Sequence, residues 1–404
     1  MPVDPRVRVL EFPHAYQTDT REALAHARQQ VEERGLSDYF IVDVDSHREP
    51  NAHWDEISQY VENPVMRSHV QARLQSSLVG TGGQPQYVNA GFSPGHGFQD
   101  MFGRIPHQGR QSEAVDDDSV HRDIVLCRRA MDAMGIDLQV VFPTSLLALG
   151  MSPLASGEAQ IAYAYDRWFT ERFCTEEPRI KFLPYLPFRD PEMSLRIVTE
   201  FADKPGVVGY LVTSLRFDPV HDNKYMRLYA AIQETGHPIA FHAGPTWDAD
   251  QWVRTMNRFI SVHALTFVHC NMVHMTNWII NGLPERFPSL KTIWIESGLA
   301  WIPFLMQRLD HEYLKRTNEA PLLRRLPSEY MREMYFTSQP MERDNLALLE
   351  STFGAMNAET QLLYASDWPH WDFDLPSTIF DLPFLSEQAR RNILGENARK
   401  LFNL

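Results

Sequence analysis

Across 404 residues the chain is 44% hydrophobic and 22% charged, which is apolar material for one large α/β barrel or two ordinary domains. A net charge of −14 excludes nucleic acid and anionic membrane surfaces as partners, since either needs a basic face, and leaves small molecules. No apolar run approaches the ~20 residues of a membrane helix, and the opening MPVDPRVRVLEFPHAY has no hydrophobic signal core, so a cytoplasmic protein is expected.

Residues 1–37 read as an N-terminal arm carrying one helix at 20–34, and 38–404 as a single domain. YFIVDVD (39–45) reads as the first strand, followed by DLQVVFP (137–143), IKFLPYLP (180–187) and GVVGYLVT (206–213). HPIAFHAG (237–244), LKTIWIESG (290–298), EMYFTSQP (333–340) and QLLYASDWP (361–369) complete eight. Amphipathic stretches at 119–134, 157–174, 222–235, 302–316 and 387–401 alternate with them. That order predicts an α/β fold, a (β/α)8 TIM barrel, with functional groups at the strands' C-terminal ends. Two connections, 48–118 and 245–289, exceed plain βα loops and read as functional insertions after strands one and five.

The strand ends are unusually rich in metal-capable side chains. In a strand, residues two apart point the same way, so Asp43, Asp45 and His47 are expected to project together towards the barrel axis. A plainer reading has Asp45 capping a helix and His47 filling the core. His242 ends strand five in IAFHAG and Asp367 ends strand eight in LLYASDWPH, and these four make a metal site if the barrel is right. Glu296 ends strand six, where TIWIE alternates so that Ile293 and Ile295 face one layer, Trp294 and Glu296 the other. Cys127, Cys174 and Cys270 form no CxxC pair, so any metal is held by imidazole and carboxylate. His263 and His370 extend the candidate ligands, whereas His269 and His274 read as helix residues that pack or face water. Gln339 and Glu342 stand after strand seven, either orienting substrate or in a surface turn. Trp247, Trp252, Trp368 and Trp371 fit a pocket, core or oligomer interface, and nothing separates Arg48, Arg189 and Arg216 as anchors for an anion.

VDVDSH, FHAG, GLPERFPSLKTIWIESGLAWIPFLMQRLD and YASDWPHWD resemble the amidohydrolase-related branch of the amidohydrolase superfamily, over roughly residues 38–404. Metal-dependent decarboxylases of aminocarboxymuconate semialdehyde and hydroxybenzoates typify that branch. The resemblance implies metal ligands at Asp45, His47, His242 and Asp367. It also marks a departure, because decarboxylases of the branch commonly carry histidine at the end of strand six, where this chain has Glu296. The surplus of ligands, with Glu296, His263 and His370 able to build a second position, leads to the expectation of two ions, Fe and/or Mn. On that ground the resemblance extends to the branch's dinuclear, oxygen-activating hydroxylases, such as the one acting on 2-aminoisobutyrate. A monooxygenase component acting on a small carboxylate or amino acid is therefore expected, fed by a ferredoxin and reductase within a homo- or hetero-oligomer. Glu296, Asp367 and His263 are its candidate catalytic residues. The alternatives are a mononuclear Zn or Mn decarboxylase or hydrolase, and an inactive barrel subunit.

Overall fold

The computed structural model describes residues 20–68, 70, 71, 115–245, 251–256 and 258–404. Most of the Gly/Gln-rich part of the first insertion, Trp247 and residues 1–19 of the N-terminal arm lie outside them. Eight parallel strands run in chain order: β1 (Val42–Arg48), β2 (Leu138–Pro143), β3 (Ile180–Lys181), β4 (Tyr210–Thr213), β5 (Ile239–His242), β6 (Thr292–Ile295), β7 (Tyr335–Thr337) and β8 (Leu362–Leu363). β1 to β3 form one sheet and β4 to β8 another. Parallel bridges Phe182↔Val207 and Tyr185↔Leu211 join β3 to β4, and Ser46↔Trp368 joins the end of β8 to β1. The ring closes, and with it the edges that an open sheet would expose.

Two apolar clusters divide the strand side chains. Val44, Val140, Leu183, Leu211, Ala240, Ile293 and Leu363 fill the inside of the barrel. Ile41, Val141, Ile180, Tyr210, Phe241 and Trp294 face outward and pack beneath the helices. The floor of the inside is closed by the last helix, Asn397–Phe402, through Ala398 and Phe402. Gly395 lets the preceding turn lie against the Phe40 backbone, where any Cβ would overlap the carbonyl.

The predicted helices stand close to their observed bounds: Arg122–Met134, Ala155–Phe169 with a π turn to Cys174, Met226–Thr235 and Trp301–Lys315. Helix Pro191–Phe201 went unforeseen, although its signals were present, with Pro191 in its first turn and Asp190 capping the Met193 amide at 3.0 Å. Helix Thr20–Arg34 buries Ala23, Leu24 and Ala27 in the outer core, and Arg34 makes two 2.8 Å bonds to Asp381. Much of the second insertion is itself a crossover helix, Phe259–Ile280, between β5 and β6. Among the described residues no helix is long and apolar enough to cross a membrane.

Because Phe402 plugs the floor with 4% of its surface exposed, Phe402→Ala should cost about 3–5 kcal/mol of stability, read as a lower urea midpoint with unchanged slope.

Candidate metal centre

Three strands abandon their regular alternation at the barrel mouth. In β1 the pairing with β2 slips between Asp43 and Ser46, whose partners are Gln139 and Val141, so three residues span what two span opposite. Val42 and Val44 therefore face inside, while Asp45 and His47, one and three residues further on, still reach the mouth. Asp43 is separated from them. It accepts hydrogen bonds from Ser366 Oγ at 2.6 Å, Ser366 N at 2.8 Å, Gln139 Nε2 at 3.1 Å and Asp45 N at 3.1 Å. Burial pushes its carboxyl up to about 7 in spite of those bonds, and its place is to buckle β1, β2 and β8 together.

Glu296 repeats the theme. Ile293 and Ile295 face inside and Trp294 faces out, so continued alternation would send Glu296 outward. Instead Glu296 adopts φ 51°, a left-handed conformation uncommon for a side chain with a Cβ, and its carboxylate turns back into the mouth. Its N–H donates to Thr337 Oγ1 at 3.0 Å, which holds the reversal. Asp367, with φ 57°, turns in the same way, its N–H on the Asp45 carbonyl at 2.7 Å. Left-handed strain of order 1–3 kcal/mol per residue persists only where the surroundings enforce it, and such residues gather at working sites.

The result is a cage of buried side chains, with His370 alone partly exposed. His47 Nε2 lies 3.1 Å from Asp45 Oδ1, 3.2 Å from Asp367 Oδ1 and 3.8 Å from Glu296 Oε2. His242 Nε2 is 3.3 Å from Asp45 Oδ1 and 3.5 Å from Glu296 Oε2, while its Nδ1–H donates to the Ala243 carbonyl at 2.7 Å and presents Nε2 inward. His370 Nδ1 sits 2.6 Å from Asp367 Oδ1 and its ring stacks on His47 at 4.1 Å. Two overlapping quartets thus offer ligand atoms within 4.8 Å of one another: Asp45, His47, His242 and Glu296, and His47, Glu296, Asp367 and His370. Asp45 Oδ2 and Asp367 Oδ2 are buried and accept no hydrogen bond from a described residue.

Charge explains the local acidities. Burial alone would raise Asp45, but His242 and His47 hold its carboxyl well below the usual range. Burial likewise opposes a charge on His47, yet Asp45 and Asp367 raise it to about 9. Burial pushes Asp367 up to about 6, against the opposing pull of His47. The cage is short of positive charge, and imidazoles with carboxylates aimed at one buried point are the donor set of a divalent cation.

The family model described as Amidohydrolase matches residues 129–404. The chain belongs to the amidohydrolase family. Curated relatives of this amidohydrolase include the γ-resorcylate decarboxylases of Polaromonas sp. (strain JS666 / ATCC BAA-500), 25% identical, and of Rhizobium radiobacter, 23% identical. Each alignment covers 68% of this chain and 86% of the relative. Among solved structures, 5-carboxyvanillate decarboxylase from Sphingomonas paucimobilis has the same fold with TM-score 0.63, 19% identity and coverage of 91% and 99%. Dihydroxybenzoic acid decarboxylase from Polaromonas sp. JS666, solved with bound manganese and 2-nitroresorcinol, has TM-score 0.58, 19% identity and coverage of 91% and 97%.

These relatives overturn the expected oxygen-activating hydroxylase and, with it, the ferredoxin and reductase partners. His263 stands apart from the two quartets. It lies on helix Phe259–Ile280, 3.9 Å from Asp372 Oδ2 and packed on Phe267 and Trp371, and belongs to neither quartet. His274 is buried with Nε2 on the Ser214 carbonyl at 2.9 Å, and His269 is exposed.

The remaining candidates of this amidohydrolase serve its frame. Gln339 donates to the Asp372 carbonyl at 3.1 Å, and Glu342 closes on Gly298 (φ 65°), where a Cβ would meet its Oε1 at 2.6 Å. Arg48 bonds Cys127 Sγ at 3.1 Å, Arg189 pairs with Asp218 at 3.3 Å and Arg216 with Glu158 at 3.2 Å. Trp368 is buried, Trp371 packs on Val253 and Val262, and Trp252 is exposed. Thr144, legible only as a polar strand end, touches both His47 Nδ1 at 3.2 Å and His370 Nε2 at 3.3 Å.

His242→Ala removes a buried imidazole shared by Asp45 and Glu296, and should lower the manganese bound by purified protein at least tenfold. Circular dichroism should show the fold retained.

Proposed function

We propose that this amidohydrolase is a metal-dependent, non-oxidative decarboxylase of a small aromatic carboxylate, of the hydroxybenzoate kind. The observation carrying this reading is the buried quartet Asp45, His47, His242 and Glu296, whose ligand atoms lie within 4.8 Å, in a chain whose relatives are named decarboxylases. Two carboxylates and two imidazoles can hold one manganese ion, and the Polaromonas structure carries that metal. Bound there, such an ion supplies positive charge for the substrate's carboxylate and neighbouring phenol oxygen.

The second quartet differs in kind, because Asp367 and His370 bond each other at 2.6 Å. Burial raises the Asp367 carboxyl to about 6, so a minor fraction carries a proton near neutral pH, at the buried Oδ2 that accepts no hydrogen bond from a described residue. From there it protonates the ring carbon that bears the carboxylate. The bond to the carboxylate then breaks, its electron pair restores the ring, and carbon dioxide leaves. His370, with Nδ1 on Asp367 and Nε2 on Thr144, orients the acid and returns a proton from solvent. Burial of the mouth keeps water from competing for the proton.

Manganese-loaded protein should convert 2,6-dihydroxybenzoate or 5-carboxyvanillate under argon, without reductant, releasing one carbon dioxide per substrate consumed. Turnover that requires dioxygen and an electron donor would overturn the reading, as would inertness towards every hydroxybenzoate tried. His370→Ala should lower kcat by roughly 10²–10⁴ as expected for general acid–base catalysis, with manganese content unchanged, whereas Glu296→Gln should lower the manganese content itself.

A further inference from the structure

A second cluster of imidazole and carboxylate lies outside the cage. We propose that His53, Glu56 and His121 form a structural zinc site, with Asp123 holding the His53 ring, that clips together the two ends of the first-strand insertion. His53, Glu56 and His121 offer ligand atoms within 4.8 Å of one another. His53 Nε2 is 2.9 Å from Asp123 Oδ2, and His121 Nε2 is 3.5 Å from Glu56 Oε1. Donors bound 2.0–2.1 Å from one tetrahedral ion stand about 3.3 Å apart, so the His121–Glu56 contact is already near the required spacing. Two imidazoles and a carboxylate are ligands that zinc takes readily.

The orientation of the carboxylates carries the argument further. Each has one oxygen held from outside and the other turned towards the imidazoles. Arg122 Nη1 holds Asp123 Oδ1 at 3.0 Å, leaving Oδ2 to His53. Trp168 Nε1 donates to Glu56 Oε2 at 3.0 Å, leaving Oε1 to His121. The rings are fixed as well: His53 stacks on Trp168 at 5.6 Å, His121 packs on Phe173 at 4.7 Å, and the two imidazoles meet at 4.7 Å. Outer partners that aim ligands in this way are what a built metal site has and a chance surface cluster lacks.

Zinc at this point requires one rearrangement. His121 Nδ1 accepts the Asp123 N–H at 3.2 Å as the cap of helix Arg122–Met134, which places the ring proton on Nε2. Binding moves that proton to Nδ1 or to solvent and surrenders one long hydrogen bond. His53 and Glu56 lie at the start of the insertion 48–118, while His121 and Asp123 follow its end. An ion held by His53, Glu56 and His121 therefore closes the loop at its base, away from the cage at the barrel mouth.

The test uses full-length protein stripped of metal and titrated with zinc alone. His242→Ala, which disables the cage, should still bind one zinc per chain and show a higher Tm with it. Adding His121→Asn, which keeps a side-chain oxygen for the cap but removes the ligand nitrogen, should weaken that zinc at least tenfold and abolish the Tm rise. Glu56→Gln in the same background, which retains an oxygen for Trp168, should weaken it too. A His242→Ala chain that takes up no zinc would overturn the proposal, as would equal zinc affinity in the chains with and without His121→Asn or Glu56→Gln.

Discussion

The mouth of the barrel turns on His47. Its Nε2 stands 3.1 Å from Asp45 and 3.2 Å from Asp367, with Glu296 at 3.8 Å, and all four are buried. Three carboxylates at such distances repel one another strongly where water cannot screen them, and an isolated buried carboxylate is costly in itself. Positive charge at their centre is the condition for the fold to tolerate them. In the metal-free protein the imidazoles supply it, which is why His47 is raised to about 9 and Asp45 driven down.

To meet at that centre the side chains must leave the regular path of their strands. A barrel strand points alternate residues inward, and the inward positions just below the mouth belong to Val44, Ala240, Ile295 and Leu363. Only β5 reaches its ligand without a break, Ala240 and His242 falling on one face. β1 gains a residue by its bulge, while Glu296 and Asp367 reverse direction through left-handed backbone. The polar groups around them, Asp43 with Ser366 and Gln139, and Thr337 on the Glu296 amide, are fixed hydrogen bonds that enforce those reversals. The apolar interior and the polar mouth are thus joined by local irregularity, and the irregularity positions the chemistry.

This division explains what could be read from the chain beforehand. The eightfold alternation was legible because periodicity in apolar residues records burial, and His242 was legible because a lone imidazole ended a clean apolar run. Asp43 misled because its spacing matched Asp45 and His47, and a bulge leaves no mark in residue types. Glu296 was placed in the mouth by alternation, yet it arrives there by breaking alternation. Helix His residues such as His263 were ambiguous because ligand-type side chains carry no record of where a helix face will turn. The reaction was the least legible part, since the same ligands serve oxidative and non-oxidative chemistry and a surplus of them does not choose between the two.

The closure of the barrel also sets an order of events. β1 is held to the far end of the chain by Val44 N on Tyr364 O, His47 N on Trp368 O and Asp367 N on Asp45 O. The floor is filled by Ala398 and Phe402. During synthesis Asp45 and His47 emerge well before strand eight and the final helix, and these contacts form only once those segments have left the ribosome. Such distant pairing is slow, because most of the chain must be organised before these contacts repay its ordering. The cage is therefore a late product of folding, and the newborn chain passes most of its synthesis as a collection of half-built βα units with no working centre.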